Sequence, residues 1–148
     1  MNYIKRFNES LSYQEELQEF CESNLAYLLD EGMKVSIHRY VVSQRLSVVL
    51  SFGKGNRNTG GMRWDDIKDY IIPFLIRLKK EYQVLPYQEK NDDELQFKVE
   101  ITSSRIDYIT CKIDDVIKSN IDFLFKRARL QLYDVNYLAF YVKDNIEK

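Results

Sequence analysis

The residues that most often carry chemistry are scarce here: the 148-residue chain holds one histidine and two cysteines. With His38 alone, a three-histidine metal site is excluded, and any Ser-His-Asp or Cys-His mechanism would hang on that single ring. Cys21 and Cys111 are far apart and form no CxxC, which reads as buried free thiols in a reducing compartment rather than a disulfide framework. A membrane span needs ~20 apolar residues. The apolar run Ile71 to Ile76 is interrupted by Pro73 and followed by Arg77. Residues 1–12 contain no apolar h-region of a signal peptide, so a cytoplasmic setting is expected. Two prolines and five glycines are too few for a disordered segment of any length.

A second absence is local. From Met33 to Arg63 there is no Asp or Glu, while Lys34, Arg39, Arg45, Lys54, Arg57 and Arg63 fall inside that stretch with four of the five glycines. From Glu9 to Glu31 the sign reverses, with Glu9, Glu15, Glu16, Glu19, Glu22, Asp30 and Glu31 and no Lys or Arg. The formal net charge of -1 therefore hides two blocks of opposite sign. A fold that keeps them on separate faces has a strong surface field, which marks where a partner lands.

What is present is ordinary globular material, 45% hydrophobic and 30% charged. A chain of this size buries roughly two thirds of its unfolded surface in one domain. Ser12 with Glu15 three residues on is a capping box, and Leu17, Phe20, Cys21, Leu25, Leu28 and Leu29 recur at helical spacing up to Gly32, placed to leave the helix in a left-handed conformation. Val35, Ile37 and Val41 share a parity, Ser43-Gln44 reads as a turn, and Leu46, Val48, Leu50 and Phe52 alternate with smaller residues: a hairpin with one buried face. Ile67, Tyr70, Ile71, Phe74, Leu75, Leu78 and Tyr82 mark a second helix, with Pro73 predicting a kink near Asp69 to Ile72. Gln83 to Tyr87 and Leu95 to Thr102 read as strands around a solvated acidic loop, Glu89 to Glu94, with Phe97, Val99 and Ile101 on one face. Ile106 to Cys111 reads as a strand, Ile113 to Phe125 as a helix, and Val135 to Val142 as a last strand rich in Tyr and Phe. The fold expected is α+β, a mainly antiparallel sheet with two principal helices, in a single domain over residues 12–148 behind an arm at 1–11.

The glycine-rich stretch Gly53 to Gly61 follows a strand and precedes a helix, where backbone N–H groups converge on anions. Its spacing is neither a Walker A nor a GxGxxG motif, and Asp65 and Asp66 in the first helical turn repel a phosphate. A surface connector is the first reading and a phosphate contact the second. Asp65, Asp66 and Asp69 share a helix face but read as helix N-terminal charge, so no metal or other cofactor is expected. Tyr40, Phe52 and Trp64 are interleaved with cations in the basic stretch, and Lys126, Arg127 and Arg129 add a second cluster. Such interleaving suits nucleic acid, although Phe52 shares the apolar parity of its strand and the pI of 5.9 is not basic. Arg39, Arg45, Lys54, Arg57, Arg63, Trp64, Lys126, Arg127 and Arg129 are the candidate partner or nucleic-acid contacts.

The opening Met1-Asn2-Tyr3-Ile4-Lys5-Arg6-Phe7-Asn8-Glu9-Ser10 resembles the short leader of many small tailed-bacteriophage proteins, which in T-even-type phages is a capsid-targeting peptide cut after a glutamate. Leu25 to Gly32 and Trp64 to Leu75 are similar in flavour to uncharacterised phage proteins. The resemblance implies a phage-encoded protein of the host cytoplasm or the virion. Together with the charge blocks it suggests a non-enzymatic assembly or interaction module that joins a protein partner or its own copies, with a nucleic-acid-binding accessory protein as the alternative and no role in a membrane.

Overall fold

The computed structural model describes residues 12–53, 61–87, 93–102, 105–118 and 134–144. The arm at 1–11, Lys54, Arg57, the loop from Glu89 to Asp92 and the cluster Lys126, Arg127 and Arg129 lie outside them, as does the helix expected beyond Lys118. The described residues form an antiparallel sheet under a layer of helices, the α+β architecture the periodicity predicts.

Helix α1 covers Tyr13–Asn24 and opens on the predicted capping box: Ser12 Oγ accepts from the Glu15 N–H at 3.1 Å and Glu15 Oε1 from the Ser12 N–H at 2.8 Å. The apolar spacing up to Gly32 does not make one continuous helix. Asn24 Nδ2 donates to the Phe20 carbonyl, competing with the backbone ladder, and the chain breaks at Leu25 (φ -124°) before the short α2, Ala26–Asp30. Gly32 follows at φ +110°, the left-handed exit expected of it.

Strands β1 (Lys34–Tyr40) and β2 (Arg45–Ser51) form the predicted hairpin, with Gln44 at φ +53° in the turn. Beyond β2 come β3 (Met62–Arg63), α3 (Trp64–Glu81), β4 (Val84–Leu85), β5 (Glu94–Thr102), β6 (Arg105–Lys112), α4 (Ile113–Ile117) and β7 (Asp134–Lys143). Helix α3 runs as one helix through Pro73. Pro73 is exposed, and its apolar neighbours Ile71, Phe74 and Leu75 are fully buried, so packing holds the turn that lacks a donor.

The strand order is β1-β2-β7-β5-β6, with β3 and β4 also paired to β7. Along one edge of β7, β2 pairs from Lys143 to Tyr137, and β3 resumes at Val135 and Asp134. On the other edge β4 pairs with Val142 and Tyr141, and β5 continues from Phe140. Each flank is thus a single lane made of two strands, β2 then β3 on one side and β4 then β5 on the other. Because β7 is central, its inward side is apolar, with Val135, Leu138, Phe140 and Val142 fully buried. Asn136 bulges between Val135 and Tyr137, and its carbonyl accepts from the Phe52 N–H at 2.7 Å.

The core lies between the sheet and the helices. Leu46, Val48, Leu50 and Phe52 from β2 and its end, Phe97 and Val99 from β5, and Ile67, Ile71, Phe74 and Leu78 from α3 are all buried there, while the side chain of Ile101 lies outside the described set. Phe74 meets Phe140 at 6.3 Å, and Trp64 stands edge-on to Phe97 at 5.6 Å. Tyr70, placed on the apolar stripe by its spacing, is 37% exposed. Glu94 corrects the reading of a solvated acidic loop: it begins β5, is 6% exposed, and its Oε1 accepts from the Tyr87 N–H at 3.0 Å.

Gly61 is where the glycine loop rejoins the sheet, and a Cβ there would run into the Val135 carbonyl, which is backbone and has little room to give. Gly61→Ala is therefore expected to destabilise the fold by about 1–3 kcal/mol in a denaturant titration. Burial pushes the thiols of Cys21 and Cys111 up to about 12, assisted by Glu22 at Cys21 and by Asp115 and Glu94 at Cys111. The folded state holds both protons more tightly than the unfolded chain. That stabilisation is complete below the ordinary thiol value of ~8.5 and is lost as pH rises toward 12. At pH 8 both thiols should resist a disulfide reagent such as DTNB in the native protein and react at once in guanidinium chloride.

Candidate binding surface

Residues paired across neighbouring strands share a face, so the register assigns every side chain of the sheet. The helices occupy the face that carries Ile37, Val48, Phe140 and Phe97. On the opposite face no helix among the described residues packs. It presents Lys34, Ser36, His38 and Tyr40 from β1, and Arg45, Ser47, Val49 and Ser51 from β2. From β7 come Tyr137, Ala139, Tyr141 and Lys143, from β5 Glu94, Gln96, Lys98 and Glu100, and from β6 Ile106, Tyr108, Thr110 and Lys112.

This face is built around tyrosines. Tyr141 stacks on Tyr87 at 4.9 Å and meets Tyr40 edge-on at 6.4 Å. The Arg45 guanidinium lies over the Tyr141 ring at 4.9 Å, and Lys98 Nζ over the Tyr137 ring at 5.8 Å, two cation–π contacts that hold positive charge at the height of the rings. Tyr137 donates from its hydroxyl to Gln96 Oε1 at 2.9 Å. Burial first, and then the neighbouring phenol Tyr141, push the Tyr87 hydroxyl up to about 12, and Tyr137 is raised by burial with Tyr108 and Tyr141. The rings at the two edges are open, Tyr40 at 48% and Tyr108 at 59% exposed. Two acids of the face have hydrogen-bond partners in the fold: Glu94 binds the Tyr87 amide, and Glu100 accepts from Asn136 Nδ2 at 3.3 Å; a third, Asp134, pairs with Glu100 in the strand register at the end of β7.

Four of the nine candidate contacts fall among the described residues, and they do not converge. Arg45 lies on the open face; its Nε has no hydrogen-bond partner, and its guanidinium rests on Tyr141, while the register puts Arg63, paired with Asp134, on the same face at the other end of β7. Arg39 points to the helix side, where its Nε donates to Asp144 Oδ2 at 2.6 Å and its Nη2 to Oδ1 at 3.2 Å. Trp64 is 1% exposed in the core, so it offers no ring for a partner to stack on. Arg63 precedes α3 at the far end of β7, beside an open cleft of about 510 Å³ where Tyr27 stacks on Tyr70 at 4.7 Å among Glu31, Asp66 and Asp134. The surface residues that the sequence reading missed are Tyr87, Lys98, Tyr108, Tyr137 and Tyr141, scattered over strands whose adjacency no local pattern reveals. The parity of Tyr137, Ala139, Tyr141 and Lys143 within the last strand was the available signal.

Among the described residues no three His, Cys, Asp or Glu side chains gather in an arrangement able to hold a metal ion. His38 sits exposed on the open face across from Ser47, whereas Cys21 and Cys111 are buried in the core behind the sheet. No helix of the described residues is long and apolar enough to cross a membrane. Compared with known proteins, the chain matches no family model, no curated protein and no solved structure.

The Arg39 to Asp144 pair is a closing contact of the sheet, since the carboxylate side chain has no exposure while the arginine keeps 33%. Removing the cation strands a buried charge. Arg39→Ala should cost about 3 kcal/mol in a urea melt, and the double variant Arg39→Ala with Asp144→Asn should recover part of that loss.

Proposed function

We propose that this chain is a non-enzymatic interaction module whose working surface is the open face of the sheet, and that its partner is anionic. The observation that supports the reading is the tyrosine array carrying Arg45 and Lys98, ringed by Lys34, Lys112 and Lys143, with Glu94 and Glu100 engaged by their own neighbours and Asp134 at the far end of β7. Tyrosine and arginine are the side chains on which binding energy concentrates, because they offer large rigid area and fixed donors at small entropic cost. The acids of the Glu9 to Glu31 block that are described sit on α1 and α2, in the helix layer, so an approaching anion meets opposite fields from the two sides. A phage-encoded role in assembly, implied by the leader, fits a protein that works by association.

The reading is tested by titrating the protein with polyanions of two kinds, polyglutamate and a 20-nucleotide oligothymidylate, at 50 and 200 mM salt. At least one should bind, more weakly at the higher salt, and lose binding in the variant Lys34→Glu, Lys98→Glu, Lys143→Glu. Binding that survives this reversal, or no binding to either probe, would remove the open face as the working surface.

A further inference from the structure

We infer that the partner of the open face is single-stranded nucleic acid, an inference that rests on the reading of that face as the binding surface. Its serines and lysines favour nucleic acid over a protein, although its tyrosines and Arg45 would serve either. The buried centre of a protein interface is depleted in lysine and serine, whereas this face sets Ser36, Ser47, Lys112 and Lys143 among its rings and has few aliphatic side chains. Nucleic acid asks for what is there: flat π-surfaces for bases and cations beside them for phosphates.

Tyr40 and Tyr108 stand on the two outer strands, four strand spacings of ~4.8 Å, or about 19 Å, apart across the sheet; Tyr40 is level with Lys143 and Tyr108 with Tyr137, so they lie a further ~20 Å apart along it, on a diagonal of about 28 Å. A strand that stacks on both therefore crosses the middle of the face. There it passes Arg45 and Lys98, which Tyr141 and Tyr137 hold at ring height. A duplex does not fit. Its bases are stacked on one another and show the sheet no free face, and a platform about 19 Å wide does not enter a major groove about 12 Å wide. The acidic pI of 5.9 is no obstacle, because it averages a basic face with an acidic helix layer.

Fluorescence anisotropy with labelled oligothymidylate, the matching duplex and polyglutamate tests the inference. The single strand should bind most tightly. Tyr40→Ala and Tyr108→Ala should each weaken it by roughly 5- to 100-fold, whereas Tyr40→Phe and Tyr108→Phe, which keep the ring, should leave it nearly unchanged. Lys98→Ala should lower the log–log salt slope by about 0.7. Equal affinity for duplex and single strand, or alanine variants that bind as well as the parent, would overturn the inference. Binding of polyglutamate alone, abolished by the lysine reversals, would overturn it too and leave the open face standing as the surface for an acidic protein.

Discussion

Everything in this sheet depends on the pairing of β7 with both of its flanks. The hairpin and β3 form one half of the sheet and β4, β5 and β6 the other, and the order β1-β2-β7-β5-β6 means that neither half pairs with the other directly. A strand that neighbours four others has no side facing water along its edges, so its backbone groups are committed to the ladder. Both lanes are pinned to this strand. Gly61 packs against Val135, and Val84 and Leu95 sit on Val142 and Phe140.

The same arrangement sorts charge. Alternation along each strand sends one parity into the helix-covered core and the other to the open face, so a stretch without acids becomes, once folded as a hairpin, a basic surface. The acidic helix packs on the reverse of that hairpin, where Gln14 Nε2 donates to the Ile37 carbonyl at 3.2 Å and Arg77 ties Asn24 to α3 at 2.8 Å. Blocks that are adjacent in the chain become opposite in space. Of the glycine stretch, which local composition made the foremost candidate for chemistry, Gly53 and Gly61 are described, and Gly61 stands against Val135 beside β3.

Much of the fold was legible because it is written locally. The capping box at Ser12, the left-handed Gly32, the alternation from Leu46 to Phe52 and the strand at residues 135–142 each follow from a few neighbouring residues, and each element stands where it was expected. The errors came where tertiary contacts outrank local signals. Trp64 sits among cations in the sequence but is the first residue of α3, turned against Phe97; Glu94 belongs to an acidic run but caps a loop; Tyr70 fits an apolar stripe yet faces solvent against Tyr27. The candidate surface was the least legible part. Its five tyrosines come from β1, β6, β7 and the end of β4, and only the order of strands brings them together.

The position of β7 also sets a schedule for synthesis. By the time a ribosome has delivered the chain to Ile117, both flanks have been made, yet β2 and β5 each expose an unpaired edge with Leu50, Val48, Phe97 and Val99 beside it, and the strand that satisfies them has still to be translated. Pairing over such sequence distances is slow to nucleate. Until the last segment emerges, the two half-sheets carry edges of the kind that pair with strands of other chains.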